Sequence, residues 1–294
     1  MSKTVTVSAP AKINLTLNIG RLREDNYHEV NMIMQAISLC DTITISKNAG
    51  KKINIFCDTK GVPLDRGNLV YKAAAAYFKA SKAEPEGLDI HIDKNIPVQA
   101  GLAGGSTDCA AALLGMNALY DNLLTKDELK DIGGALGADV PFCFDGGTAL
   151  ATGKGTDIVH VSDMPECFIV LIKPDLNVST KEAYQRADER TVFKENASVP
   201  MLKALNNGSY AEVSRLLYND FSDILNIKEV KEIITLLNSL AADGACMSGS
   251  GPSVFGLFGD EASAKAAVTT LKSQYNKVYL CKPVTHGVKI EKTE

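Results

Sequence analysis

The sequence predicts an α+β protein in two parts, and three observations carry that reading. Residues 12–19 alternate with period two, with Ile13, Leu15, Leu17 and Ile19 on one face and Lys12, Asn14, Thr16 and Asn18 on the other. Such a segment is a strand with one buried face, and it predicts that Lys12 and Asn14 point together away from the core. A glycine-rich turn at 101–105 then leads into an Ala/Leu-rich helix from about Ser106 to Leu119. A buried strand, 168–172, followed by Pro174, opens a second half. Early hairpins followed by helices suit α+β better than a doubly wound sheet.

Taken in order, further strands are expected at 30–39, 41–46, 53–57 and 88–93, with a helical stretch near 68–80. Thr125 and Glu128 form a capping-box pattern that starts a helix ending near Gly137. Ser179 and Glu182 repeat that pattern before a helix carrying Tyr184. Helices near 209–218, 228–240 and 260–273 and strands at 253–258 and 277–282 complete the chain. The domain boundary is placed near 160, giving parts 1–160 and 161–294. No internal repeat or low-complexity linker is present.

Composition narrows the function. The chain of 294 residues is 45% hydrophobic and 22% charged, the balance of a globular protein. A net charge of −4 and scattered basic residues argue against nucleic-acid binding. The seven cysteines lie in mostly apolar surroundings without a CxxC pair, which predicts reduced thiols and a reducing compartment. The four histidines have no metal-ligand spacing, and no metal ligands are assigned. Met1-Ser2-Lys3 leads straight into an alternating segment rather than a leader, and no apolar run approaches the roughly 18 residues of a membrane span. A cytoplasmic protein without membrane or nucleic-acid partners is expected.

The residues that can carry chemistry fall in three segments. From Pro97 to Asp108 a strand-like lead-in, a glycine turn and a helix follow one another. Such a turn aims free backbone N–H groups at one spot, where the helix dipole adds to them, and so suits a phosphate. An ordinary turn capped by Ser106 or Thr107 would read the same way. No Walker loop exists, since Gly153-Lys154-Gly155-Thr156 has the wrong spacing, and no dinucleotide fingerprint follows the first strand. Asp139, between Gly137 and Pro141, could accept a proton from a hydroxyl while nearby Lys12 keeps it ionised. Capping a turn is the commoner use of such an Asp. The third segment, Met247 to Phe255, is a second glycine-rich turn before a strand.

Together, Ala9-Pro10-Ala11-Lys12-Ile13-Asn14-Leu15, the Gly101-to-Ser106 turn and the Gly249-Ser250-Gly251-Pro252 turn resemble the GHMP kinases in order and spacing, over nearly the whole chain. Arg23 to Glu29 and Gly137 to Phe142 resemble the branch that acts in the non-mevalonate isoprenoid route. The resemblance implies a two-domain GHMP kinase fold with ATP, magnesium and the acceptor in the cleft between domains. It implies transfer of a phosphoryl group to the tertiary 2-hydroxyl of a small substrate carrying a cytidine diphosphate group. A homoserine- or mevalonate-type kinase, or a non-catalytic nucleotide-binding protein, are the alternatives. A monomer or weak homodimer is expected.

Residue by residue, the resemblance makes Asp139 the base and Lys12 the group that orients the hydroxyl. It assigns the nucleotide to Pro97, Val98, Gln99, Ala100, Gly101, Leu102, Ala103, Gly104, Gly105, Ser106 and Thr107, with Asn68, Lys72 and Lys94 in segments that approach the adenine. It assigns the acceptor to Asn14, Tyr27, His28, Thr180, Tyr184, Gly249 and Ser250. A flat base suits the Tyr27-His28 pair, which supplies one ring to stack and one to hydrogen-bond. Ala103 replaces a glycine of the family's turn, so the chain is expected not to be left-handed there. Asn26 stands where the family has Gly before Tyr-His, and Asn is the next-best residue for a positive φ.

Overall fold

A computed structural model describes residues 3–294; Met1 and Ser2, which open the segment read as lacking a leader, lie outside the described residues. The first half contains β1 (Thr4–Leu22), β2 (His28–Asn48), β3 (Ile53–Phe56), α1 (Leu69–Ser81), β4 (Gly87–Asp93) and α2 (Gly104–Leu119). It continues through α3 (Lys126–Leu136), α4 (Val140–Asp145), β5 (Thr148–Thr152) and β6 (Asp157–His160). Then follow β7 (Phe168–Ile172), α5 (Thr180–Asp188), α6 (Ser198–Asn206), α7 (Tyr210–Arg215), β8 (Tyr218–Asn219), α8 (Asp220–Leu225) and α9 (Lys228–Ser239). The chain ends with β9 (Gly244–Met247), β10 (Val254–Phe258), α10 (Glu261–Leu271), β11 (Val278–Cys281) and β12 (Lys289–Thr293). The α+β expectation holds.

Two sheets organise these elements. The larger runs β12-β1-β2-β4-β3, with β5 also on β2, β6 on β5 and β8 on β1; the smaller runs β11-β7-β10-β9. The strands expected at 30–39 and 41–46 are one strand, because β2 changes partner midway. Its Met32–Gln35 part pairs with β5 and its Thr42–Asn48 part with β4. The short elements α4, α6, α8, β5, β6 and β12 were not read from the sequence, since runs of four to nine residues show too little periodicity.

The first strand departs from simple alternation in two ways. Between Asn14 and Thr16, two residues of β1 pass one step of β2 (Met34 to Ile33), which is a β-bulge. Ile13 and Leu15 therefore pack with Ile169, Leu171, Phe255 and Leu257 of the second sheet, whereas Leu17 and Ile19 join the core that α1 and α2 cover. The polar row is also not open to water: Lys12, Asn14, Thr16 and Asn18 are all buried. Residues 195–198 lie across its second half, which the bulge turns to the other face, with Asn18 Nδ2 donating to the Glu195 carbonyl at 3.1 Å and Thr16 and Ser198 sharing a hydroxyl bond of 2.8 Å. A row of polar side chains inside a protein needs such partners, and Lys12 finds its own at the cleft.

The caps form as the sequence indicates. Thr125 and Glu128 close a reciprocal capping box on α3, Gly137 ends that helix, and the Ser179 side chain accepts from the Glu182 N–H. All seven cysteines are free, five of them buried. Among the described residues no helix is long and apolar enough to cross a membrane.

Candidate active site

The glycine turn, the start of α4 and the second glycine turn converge on one cleft of about 440 Å³. Every residue from Pro97 to Ser106 lines it, with Asn68, Lys94, Lys12, Asp139, Thr180, Tyr184, Gly249 and Ser250. Thr107, Asn14, Tyr27, His28 and Lys72 do not line it.

Backbone geometry shapes the turn. Gln99, Gly101 and Ala103 all have positive φ, at 52°, 73° and 56°. The expectation that Ala103 avoids the left-handed region is therefore wrong. Its side chain is small enough to be held there by the helix it precedes, at a strain of roughly 1–2 kcal/mol. Among the described residues none accepts the N–H groups of Gly101 to Ser106, so these donors stay available to an anion at the N-terminus of α2. Gly101 itself could not carry a side chain, because a Cβ would lie 2.2 Å from the Ser248 carbonyl oxygen. The two glycine turns touch at that point, where Ser248 Oγ donates to the Gly101 carbonyl at 3.0 Å. Asn219 fixes the second turn from below, donating to the carbonyls of Met247 and Gly249 at 2.7 and 2.9 Å.

A buried ion cluster underlies the first turn. Lys94 Nζ is clamped by Asp41 and, at 2.7 Å, by Asp108. Asp41 also accepts the backbone N–H groups of Asn95 and Ile96 at 2.6 and 2.7 Å. Burial, with Asp41 adding to it, raises the Asp108 pKa although Lys94 pulls the other way. Among the described residues Asp108 Oδ1 has no hydrogen-bond partner. Neither aspartate was given a role from the sequence: Asp108 closes the Pro97-to-Asp108 segment and was read only as part of its helix, and Asp41 stands 53 residues from Lys94 outside any named motif.

Opposite the turn, Lys12 Nζ lies 3.8 Å from Asp139 Oδ2 and donates to Asn14 Oδ1 at 2.7 Å. The backbone N–H of Lys12 donates to the Leu102 carbonyl at 3.1 Å, which ties the strand to the turn. Asn14 is fully buried, and its Nδ2 points at Met32 Sδ, 3.3 Å away. Asp139 precedes α4 but makes no capping bond with its side chain, and that side chain is 28% exposed, toward the cleft. A carboxylate with open valences faces an ammonium that is only loosely bound to it.

One end of the cleft is aromatic. Tyr184 lies edge-on to Phe221 and stacks on His28 at 5.5 Å and 25°. The His28 ring nitrogens face the Gly20 carbonyl at 3.0 Å and Asp188 Oδ1 at 2.8 Å, so a base hydrogen bond from this ring requires Asp188 to be displaced. Tyr27 is 55% exposed at the β1–β2 turn, with Lys154 Nζ 5.6 Å from its ring centre. Asn26 before it has φ 62°, as expected of the residue in that place. Asn68 caps α1, accepting from Val70 N–H and donating to the Pro63 carbonyl, while Lys72 projects from the exposed face of that helix.

An N–H-lined turn facing a carboxylate and an ammonium across a cleft defines a kinase for small-molecule hydroxyls, the GHMP type. The described families agree: residues 68–147 match the GHMP kinases N terminal domain and residues 201–277 the GHMP kinases C terminal. The chain is 42% identical over 278 residues, 94% of its length and 99% of the relative's, to a 4-diphosphocytidyl-2-C-methyl-D-erythritol kinase of Clostridium novyi (strain NT). A crystal structure of a 4-(cytidine 5'-diphospho)-2C-methyl-D-erythritol kinase superposes with TM-score 0.77 at 31% identity, over 95% of this chain and 98% of that one. A homoserine kinase from Cytophaga hutchinsonii superposes with TM-score 0.78 at 19% identity, over 98% and 97%, and shares the fold. The chain belongs to the GHMP kinase family, and within it to the 4-diphosphocytidyl-2-C-methyl-D-erythritol kinases.

Proposed function

We propose that this kinase transfers the γ-phosphoryl group of ATP to the 2-hydroxyl of 4-(cytidine 5'-diphospho)-2-C-methyl-D-erythritol in the non-mevalonate isoprenoid pathway, giving the 2-phosphate and ADP. The observation that carries the reading is the single cleft that joins the N–H-lined turn, the Lys12–Asp139 pair and the Tyr184 ring. In this reading Asp139 takes the proton of the 2-hydroxyl as its oxygen attacks the γ-phosphorus and ADP leaves. Lys12, held in place by Asn14, orients that oxygen and steadies the charge on the transferring group. The amides of Gly101 to Ser106 hold the phosphates of ATP, so positioning and electrostatics supply most of the rate. Asn68 and Lys94 border the adenine end, with Lys72 and Thr107 acting from outside the cleft lining. Tyr184, with Tyr27 closing over the site, stacks on the cytosine; Thr180, Gly249 and Ser250 hold the remainder of the acceptor.

A magnesium ion belongs to this reading. The carboxylates of Asp108 and Asp139 line the cleft, and the unpartnered Asp108 Oδ1 stands two residues after Ser106. One or two carboxylates beside a triphosphate are the usual surroundings of magnesium, so the residues fit. When bound, the ion neutralises phosphate charge. The parts 1–160 and 161–294 are the proposed nucleotide-binding and C-terminal domains, in a cytoplasmic monomer or weak homodimer, a compartment that suits seven free thiols.

The test is ADP release with three acceptors: the cytidyl methylerythritol diphosphate, homoserine and mevalonate. Turnover with the cytidyl compound alone is expected. Turnover with another acceptor instead would overturn the cytosine assignment, and turnover with none would overturn the kinase activity itself.

A further inference from the structure

We infer that the protein carries a second, anion-binding site on the outer side of the glycine turn, built by Lys60, Lys173 and Lys277 and suited to a phosphate or diphosphate group. A cavity of about 360 Å³ opens there, between the 94–99 segment and the ends of β7 and β11. No Asp or Glu lines it. Of its four lysines, Lys94 is already neutralised by Asp41 and Asp108. Among the described residues none of the other three forms an ion pair. In a chain of net charge −4, three ammonium groups without ion partners, Lys173 buried and Lys60 and Lys277 exposed, give this concavity a positive potential that favours an anion.

Lys173 shows the need most clearly. The residue is 4% exposed, and its Nζ donates to the Leu176 carbonyl at 2.6 Å and to Asn177 Oδ1 at 3.1 Å. It is anchored but not neutralised. Its backbone N–H donates to the Lys277 carbonyl at 3.0 Å, one step beyond the Ile172–Val278 pair, so β7 and β11 bring the two lysines side by side. Like charges on neighbouring strands repel, and a buried charge without a partner is costly. Burial first and Lys277 second lower the Lys173 pKa; Asp175 and Glu229 oppose this from beyond ion-pair distance.

An anion between these lysines removes both penalties, and the neutral donors of Asn177, Asn95, Gln99 and Tyr279 complete a phosphate's hydrogen bonds. The volume admits a diphosphate and excludes a macromolecule. Gly61, Lys94, Pro97, Val98 and Gln99 border this cavity and the active-site cleft alike. The second site thus shares a wall with the nucleotide's cradle, while Lys60, Lys173 and Lys277 line it alone, and it stands whichever acceptor the kinase uses.

The experiment is calorimetric titration of pyrophosphate, and separately of inorganic phosphate, into the full chain saturated with ADP, without magnesium and at about 50 mM salt, so that screening is modest. Pyrophosphate is expected to bind once. Lys277→Met, a surface change that spares the fold, is expected to weaken it about tenfold, and Lys173→Met with Lys277→Met on the order of a hundredfold. ADP affinity is expected to be unchanged in Lys277→Met. Three results would overturn the site: no pyrophosphate binding by the ADP-saturated protein, equal binding by Lys277→Met, or loss of ADP affinity in that variant without any pyrophosphate binding, which would give these lysines to the nucleotide.

Discussion

Two lysine–carboxylate groups face each other across the cleft, and they are built in opposite ways. Lys94 is locked between Asp41 and Asp108, with all three side chains at most 5% exposed and the other Asp41 oxygen taken by two backbone N–H groups. Lys12 stands 3.8 Å from Asp139, gives its hydrogen bond to Asn14, and leaves the aspartate partly open. The first cluster has spent its valences on the chain, Asp108 Oδ1 excepted, and fixes the base of the glycine turn. The second keeps valences open toward the cleft, where the proposed reaction would use them. Saturated charges hold a shape, whereas unsaturated ones at a cleft do chemistry.

The sharpest way to break the comparison is to remove one carboxylate's charge at the open pair. Asp139→Asn keeps the size of the side chain and removes the proposed base. Turnover is expected to fall by roughly a hundred- to ten-thousand-fold. The melting temperature should fall only slightly, because among the described residues the Asp139 side chain makes no hydrogen bond, its contact with Lys12 is a loose 3.8 Å, and Asn14 keeps the hydrogen bond of that ammonium. Near-normal turnover in steady-state ADP release would show that Asp139 is not the base. A large loss of stability instead would show that the open pair is structural after all, and the contrast would collapse.

The closed cluster should respond the other way. Lys94→Met leaves two aspartates buried without their cation, at a cost of about 3–5 kcal/mol in denaturant unfolding. Weaker ATP binding would follow from the collapse of the turn above it. A variant with native stability would mean that the cluster is already relieved by protonation of Asp108, whose pKa burial raises.

How much of this was legible in the sequence follows from the same contrast. The open pair was readable, since Lys12 and Asp139 each sit in a short distinctive segment and the strand pattern sent Lys12 off the core face. The closed cluster was not. Asp41 lies in an ordinary strand between Cys40 and Thr42, and only the pairing of β2 with β4 brings it under Lys94. Capping boxes at Thr125 and Ser179 could be read because their donors and acceptors lie three residues apart. The bulge at Leu15 could not, because a register shift is a property of two strands. The Ala103 conformation was misjudged for a related reason: local propensity disfavours a left-handed alanine, and the contacts of the finished turn override it.

The smallest expected effect concerns a third charged group, intermediate between these two. Asp145 ends α4, the helix that Asp139 begins, and receives Lys126 and Lys130 of α3 at 2.6 and 2.5 Å, with 20% of its side chain exposed. Burial alone would raise its pKa, but the hydrogen bonds from the two lysines outweigh burial and bring it down from 3.8 to about 2. The folded-state pKa lies below the unfolded one, so the stabilisation is present in full above about pH 4 and is lost as pH falls toward 2. Asp145→Asn should therefore cost about 1–2 kcal/mol at pH 6, discounted for partial exposure, and progressively less below pH 4. Urea unfolding of both proteins at several pH values measures the difference. A gap that stays constant with pH would mean that Asp145 acts through packing rather than charge, and that α4 is held on α3 by its apolar contacts alone.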